Sequence, residues 1–177
     1  QEVPVYRWLL GENSPPEVFR WYGDVLFTDL LPGLRGLFAT TGELTGLIAV
    51  AGPDHRTQPV DDELANRTRH FMTALDGLIP RFRELQEKSR ALTIDTAHSI
   101  VFALVHPAHR RNGTLAAMLE PVLQEALGAG SPVTASTADA HMVDVYARKW
   151  GGRVYGEFTL TDGPTVWFLT VDPPVSV

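Results

Sequence analysis

The sequence predicts an α/β fold in a single domain that spans residues 1–177. Helical and strand patterns alternate along the second half of the chain, and no linker, repeat or low-complexity segment divides it. A near-continuous apolar run at residues 99–105 is typical of a strand buried inside a sheet on both faces. After two helices, the predicted order is β-β-α-α-β-α-β-α-β-β.

The first half of the chain is predicted to be mainly helical. Apolar residues at helical spacing predict helices at residues 6–10, 17–31 and 61–90. Pro80 is expected to break or kink the last of these. The turn Thr41-Gly42-Glu43 predicts a hairpin of strands 34–40 and 44–51. The apolar stripe of the long helical segment is expected in the core; its members are Leu64, Phe71, Leu75, Leu78, Phe82 and Leu85.

The second half alternates strands with amphipathic helices. We predict strands at 99–105, 132–136, 153–160 and 165–171, and helices at 113–127 and 140–150. Asp162-Gly163 is a strong signal for a hairpin between the last two strands. Gly151-Gly152 ends the second of these helices, and Asp139 is expected to cap its start.

The composition excludes several classes of function. It is that of an ordinary globular domain, with 44% hydrophobic and 20% charged residues. The absence of cysteine excludes disulfides, thiolate metal sites and cysteine nucleophiles. No apolar run approaches the roughly 20 residues that cross a bilayer. The net charge of −6 argues against a nucleic-acid partner. It is compatible with a cationic amine substrate, or simply with solubility.

A basic turn between strand 99–105 and the helix that begins at Gly113 is the most informative feature. The start of a helix leaves backbone N–H groups unpaired at the positive end of the helix dipole. The turn therefore predicts an anion site suited to a phosphate or pyrophosphate, unless it is only a basic loop that caps a helix. Gly113 would let the backbone approach the anion, and Arg110 and Arg111 would add charge-assisted contacts.

The turn, in this setting, resembles the acyl-CoA-binding motif of the GCN5-related N-acetyltransferases. That motif, Gln/Arg-x-x-Gly-x-Gly/Ala after a strand, would correspond here to Arg110-Arg111-Asn112-Gly113-Thr114-Leu115, with Val105-x-Pro107 before it. The resemblance implies a mixed, mostly antiparallel central sheet, flanked by helices and splayed between its two central strands. A closer likeness is to the puromycin N-acetyltransferase type, because of the long helical excursion, His109 and the sequence Asp162-Gly163-Pro164-Thr165-Val166-Trp167.

The resemblance also implies a function. We expect an enzyme that moves an acetyl or other short acyl group from acyl-CoA to a small-molecule amine, by direct attack. Acetyl-CoA would be the co-substrate, held by the turn at Arg110, Arg111, Asn112, Gly113, Thr114 and Leu115 and by main-chain contacts from Leu104, Val105 and His106. We expect no metal and no nucleic-acid or membrane partner. We expect a cytoplasmic location, and a homodimer is possible. The chain is expected to enter the fold after the family's usual first strand and helix.

Two departures from the family pattern bear on activity. Leu115 occupies the place of the second glycine or alanine, so its side chain must either crowd the turn or point into the core. A tyrosine on the last helix often protonates the departing thiolate, but its usual spacing to the following glycine is one residue shorter than here. If the family pattern is aligned on Gly151, the position of the general acid falls on Ala147. If it is aligned on the tyrosine, the position falls on Tyr146, which we predict as the acid. Neighbouring helical residues differ by about 100° in direction, so only one can face the sulfur.

The sequence identifies no general base and no metal site. His98, His106, His141 and Asp139 are each more simply read as surface or capping residues, and we find no His/Asp/Glu set with metal-ligand spacing. Two other functions stay open: a non-catalytic protein of this fold that binds acyl-CoA or another ligand, and other chemistry on acyl-CoA, such as transfer to a carrier protein or decarboxylation.

Overall fold

A computed structural model describes residues 3–174 and confirms the α/β class, with helices on a six-stranded sheet. The helices are α1 (Pro4–Leu10), α2 (Pro16–Leu30), α3 (Asp62–Ala74), α4 (Leu78–Arg90), α5 (Thr114–Gly128) and α6 (Ala140–Trp150). The strands are β1 (Leu34–Phe38), β2 (Leu44–Ala51), β3 (His98–Val105), β4 (Val133–Thr137), β5 (Arg153–Thr159) and β6 (Thr165–Val171). Short 3₁₀ turns occupy Leu31–Gly33 and Pro107–His109.

The sheet is mostly antiparallel, with strand order β1-β2-β3-β4-β6-β5. Only β3 and β4 run parallel, and their pairing covers three residues on each strand, from His98 opposite Val133 to Ile100 opposite Ala135. Both strands continue past the last pair, so they part towards their carboxyl ends. This confirms the expected mixed sheet with its splay between the two central strands.

Two apolar cores flank the sheet. The larger one lies where α5 and α6 pack on the strands, and its centre includes Ile48, Ile100, Leu119, Val133 and Leu169. The smaller one forms among α1, α2, α3 and α4, around Leu9, Val18, Trp21, Leu64 and Leu78. Each helix of the first half thus buries its apolar stripe mainly against other helices.

The helical segment 61–90 breaks before Pro80 and not at it, which corrects the sequence prediction. Asp61 caps α3 by accepting a 2.7 Å hydrogen bond from the Leu64 N–H. The chain leaves the helix at Leu75, and Gly77, with φ 72°, precedes α4. Pro80 sits in the first turn of α4, where a missing N–H breaks no helical hydrogen bond. Phe82, predicted in the core, is 37% exposed.

Strand β3 is not buried on both faces, which also corrects the sequence prediction. Ile100 is its one fully buried residue, and Leu104 is 44% exposed. The larger core covers one face of β3, where Ile100, Ala103 and Val105 lie. On the other face, the Phe27 ring of α2 contacts Phe102 edge-on at 5.6 Å but leaves Leu104 uncovered. None of the helices in residues 3–174 has the length and apolar character needed to cross a membrane.

Candidate acyl-CoA site

The basic turn lies at the carboxyl end of β3, on the side where β3 and β4 part. Its first part is tied to the sheet, because the His106 N–H donates to the Thr45 carbonyl at 2.9 Å. The His109 N–H donates to the His106 carbonyl at 2.8 Å and closes the 3₁₀ turn. Arg110 then donates from Nε to the Val105 carbonyl at 3.4 Å. The turn therefore starts from a fixed position on the strand.

Two left-handed residues shape the second part of the turn. Arg111 has φ 64° and Gly113 has φ 90°, and both side-chain positions are exposed. Between them, Asn112 Oδ1 accepts a 2.6 Å hydrogen bond from the Thr114 hydroxyl and a 3.4 Å bond from the Thr114 N–H. Because αL residues turn successive N–H groups towards one side, such a segment forms a concave surface suited to an anion.

Five backbone N–H groups on this segment have no acceptor among residues 3–174. They belong to Arg111, Asn112, Gly113, Leu115 and Ala116. The first helical bond into the turn runs from the Ala117 N–H to the Gly113 carbonyl at 3.0 Å. The unpaired donors stand at the positive end of the 15-residue helix α5. The arrangement has the donors needed to bind a group with several anionic oxygens.

The Leu115 side chain points into the protein. It packs against the larger core, as a partly buried residue on the first turn of α5. Thr114 beside it is buried, whereas Arg110, Arg111, Asn112 and Gly113 are exposed. The sequence left two alternatives for the Leu115 side chain, crowding of the turn or burial in the core. The structure shows burial in the core, so the turn stays open.

The end of β3 presents backbone to the gap between the central strands. On one side, Leu104 pairs with Leu47 of β2, and Val105 pairs with Gly46. On the other side, β4 pairs with β3 only as far as Ile100. Leu104 and Val105 therefore lie beside an open strand edge that leads to the turn, whereas the His106 N–H and carbonyl are already paired with Thr45 and His109.

Tyr146 faces the sheet at the point where the central strands part. With the last paired residues, Ile100 and Ala135, it lines a cavity of about 10 Å³, roughly the size of one water. The residue is 8% exposed, and its hydroxyl makes no hydrogen bond within the described chain. Burial raises the pKa of Tyr146 to about 12, so the phenol is a neutral donor at physiological pH.

Ala147, the other position considered for the acid, is exposed on the outer side of α6. The helix runs one residue further than the usual spacing requires, to Trp150, before Gly151 ends it with φ 67°. The Gly152 N–H then donates to the Tyr146 carbonyl at 3.2 Å and closes the helix end. The extra residue lies after Tyr146 and does not turn it away from the sheet.

Two of the three histidines considered as bases, His98 and His141, lie outside the basic turn, and His106 lies at its start. His98 begins β3, at the opposite end from the turn, and its Nδ1 lies 3.0 Å from the Ser131 hydroxyl. His141 is exposed on the first turn of α6, where Asp139 caps the helix by accepting from the His141 N–H at 2.9 Å. The capping role predicted for Asp139 is confirmed, and we assign no general base.

Sequence spacing missed one cluster. Glu43, His106 and His109 each place one ligand-type atom within 4.8 Å of those of the other two. His106 and His109 are three residues apart, which is a usable signal, but Glu43 comes from the distant turn between β1 and β2. Only the antiparallel pairing of β2 with β3 brings that turn beside the end of β3.

Comparisons with known structures identify the fold. Over 97% of the chain, it is similar to a protein of Corynebacterium glutamicum described as histone acetyltransferase HPA2 and related acetyltransferase, covering 83% of that protein, with a TM-score of 0.62 and 12% identity. It is also similar to arylalkylamine N-acetyltransferase 2 of Aedes aegypti, with a TM-score of 0.61, 12% identity and coverage of 97% and 88%.

The chain has the GCN5-related N-acetyltransferase fold. An N-acetyltransferase of Staphylococcus aureus Mu50 shares it, with a TM-score of 0.55, 12% identity and coverage of 90% of this chain and 84% of that one. No family model and no curated protein matches the sequence. These comparisons establish the fold, and the reaction must be argued from the site.

Proposed function

We propose that this protein is an acyl-CoA-dependent N-acetyltransferase that acts on the amine of a small molecule. The observation that carries the proposal is the set of unpaired backbone N–H groups between Arg111 and Ala116. They follow strand β3, whose edge towards β4 is unpaired beyond Ile100. A long ligand with a pyrophosphate at one end and an amide-containing arm fits this combination. Coenzyme A has that chemistry.

The turn would bind the pyrophosphate through backbone donors, with Arg110 and Arg111 adding charge from exposed positions. Asn112 would act indirectly, because its bond to the Thr114 hydroxyl fixes the turn. Thr114 and Leu115 would form the base of the turn, with Leu115 anchored in the core. The arm would run along the open edge of β3 beside Leu104 and Val105, and His106, whose N–H and carbonyl are already paired with Thr45 and His109, would only hold the end of the strand in place.

In the reaction, the neutral amine attacks the thioester carbonyl carbon, and the C–N bond forms while the C–S bond breaks. Backbone donors of β3 would polarise the carbonyl oxygen. The leaving thiolate takes a proton from the Tyr146 hydroxyl, which later regains one from solvent. The amine loses its proton to water, since we assign this step to no residue. Tyr146 can fill the role because a tyrosine is protonated at physiological pH, although the burial that raises its pKa to about 12 makes it a weaker acid.

Three observations support a small amine as the acceptor. The net charge of −6 favours a cationic substrate over an acidic one. Leu104, Phe102 and Phe27 leave an apolar surface on the face of β3 opposite α5. The arylalkylamine N-acetyltransferase with the same fold and the likeness to the puromycin N-acetyltransferase type point to the same substrate class.

The proposal is tested in two steps with the purified chain. Calorimetry with coenzyme A should show one binding site per chain, and acetyl-CoA with a panel of arylalkyl and aliphatic amines should release free thiol. An absence of coenzyme A binding would disprove the proposal.

A second function, non-catalytic binding of acyl-CoA, is favoured by one observation. Tyr146 is nearly fully enclosed beside a cavity of about 10 Å³, which cannot hold a thioester without movement. Binding of coenzyme A together with no thiol release across the amine panel would favour this second function. Turnover that Tyr146→Phe reduces would exclude it.

A further inference from the structure

We propose that Glu43, His106 and His109 form a binding site for a divalent transition-metal ion of the Zn²⁺ type. Their ligand atoms lie within 4.8 Å of one another, and His109 Nε2 lies 3.6 Å from Glu43 Oε1. The two imidazole rings are tilted by 56°, with centroids 5.8 Å apart. The cluster is separate from the amide donors of the turn and from Tyr146, and the proposal does not depend on acyl transfer.

The backbone around each ligand is fixed. The Ala39 N–H donates to the Glu43 carbonyl at 2.8 Å, which closes the turn between β1 and β2. His106 is tied to Thr45 of β2 by its N–H, and His109 is tied to His106. The three side chains are therefore presented from two adjoining, hydrogen-bonded turns. Little backbone entropy would be lost when a metal ion brings their tips together.

The side chains can reach coordination geometry by rotation. Zinc binds imidazole nitrogen and carboxylate oxygen at about 2.0–2.2 Å, so tetrahedral ligands stand roughly 3.3 Å apart. Glu43 and His106 are exposed and His109 is half-buried, so rotation of their tips meets little resistance. Nδ1 of His106 accepts only a long hydrogen bond of 3.4 Å from the Ala108 N–H, so its lone pair can turn from this contact to the metal while Nε2 carries the proton of the neutral ring.

The donor set selects the class of ion. Two imidazoles favour zinc, copper or nickel over magnesium or calcium, which prefer all-oxygen ligands. One carboxylate lowers the net charge of the complex and completes three protein ligands, leaving a fourth position for water. A metal bound here would link the turn between β1 and β2 to the segment that precedes Arg110, and should raise the thermal stability of the chain.

Zinc titration of the metal-free full chain at about pH 7.5 tests the proposal, since imidazole binds metals in its neutral form. We expect one Zn²⁺ per chain, with Kd raised at least about tenfold in each of Glu43→Gln, His106→Gln and His109→Gln. His70→Gln removes an exposed histidine on α3 and should leave Kd unchanged.

The triple variant Glu43→Gln, His106→Gln, His109→Gln decides the outcome. If it binds Zn²⁺ as tightly as the unsubstituted chain, the site is not the one proposed. Circular dichroism checks that the variants fold, and Co²⁺ gives a second readout on the unsubstituted chain. A tetrahedral Co²⁺ absorption that Zn²⁺ displaces supports the site. A chain that shows neither this absorption nor saturable Zn²⁺ binding contradicts it.

Discussion

The ring of Tyr146 packs against the ring of Trp150 one turn further along α6, with centroids 5.3 Å apart and planes at 60°. This contact holds the phenol against the sheet where β3 and β4 part, and it does not involve the hydroxyl. The ring and the hydroxyl of Tyr146 can therefore be tested separately, because removal of the oxygen leaves the packing in place.

Tyr146→Phe should lower kcat by about 10²-fold, at the lower end of the range for a general acid, because a thiolate leaves without much help. KM for acetyl-CoA should stay within about twofold, since the ring packing and the turn are unchanged. Steady-state kinetics by thiol release provide the measurement. Tyr155→Phe is the control, because it removes a hydroxyl that only donates to the Leu92 carbonyl at 2.8 Å. Equal kcat values for Tyr146→Phe and the parent would contradict the assignment.

Stability should fall at alkaline pH, in part because of Tyr146. Burial raises its pKa from 10.0 to about 12. The contribution of the neutral buried phenol is fully present below pH 10 and is lost as pH rises through about 12. Two pH units correspond to roughly 2–3 kcal/mol. Between about pH 8 and 11, the free energy of unfolding measured with urea should decline less steeply for Tyr146→Phe than for the parent. Some decline should remain in the variant, because burial also raises the pKa values of Tyr6 and Tyr22.

Gly113→Ala should weaken coenzyme A binding by about tenfold. An alanine at φ 90° costs about 1–2 kcal/mol, and the turn can relieve that strain only by moving its N–H groups. Gly130→Ala is a matched control at the other end of α5, with φ 75°, and neither added Cβ meets an atom within 4 Å. Both variants should lose similar stability, and calorimetry should find weaker binding only for Gly113→Ala. Equal affinities would place the pyrophosphate elsewhere.

Leu115→Ala should reduce stability and leave the affinity for coenzyme A within about twofold. The side chain packs on the larger core, so truncation removes apolar contacts and costs about 1–3 kcal/mol. Urea unfolding and calorimetry on the same sample measure both effects. A clear gain in affinity would show that Leu115 obstructs the turn.

Glu84→Gln should weaken the contact between α4 and the turn that joins β5 and β6. The carboxylate accepts from Lys88 Nζ and from the Thr161 N–H, each at 2.8 Å, and these bonds lower the pKa of Glu84. The resulting stability is present above the ordinary carboxyl pKa and is lost as pH falls through the lowered value. The variant should lose about 1–2 kcal/mol at pH 7 and show a flatter acid limb in urea unfolding.

Glu125→Gln is the control for this prediction. Glu125 pairs with Arg35 at 2.8 Å, but both side chains are well exposed, so solvent screens the pair. Its loss should change stability much less than Glu84→Gln, and equal losses would contradict the proposed attachment of α4.

The sequence alone was sufficient for features that depend on neighbours along the chain. The strand, basic turn and helix from β3 to α5 were predicted because an apolar run, an Arg-x-x-Gly turn and an amphipathic pattern are local signals. The Asp139 cap and the Asp162-Gly163 hairpin are local in the same sense. Pro80 was wrongly predicted to break the helix because the first turn of a helix tolerates proline; α3 ends at Leu75, and Gly77 precedes α4.

Only the tertiary structure decided which way the ambiguous side chains point. Leu115 turned into the core and Tyr146, not Ala147, faced the sheet, because α5 and α6 each bury one stripe against strands whose positions the local sequence does not specify. The parting of β3 from β4 after Ile100 and the meeting of Glu43 with His106 and His109 depend on strand pairing between distant segments. Local patterns thus determined the turn, and long-range packing determined what surrounds it.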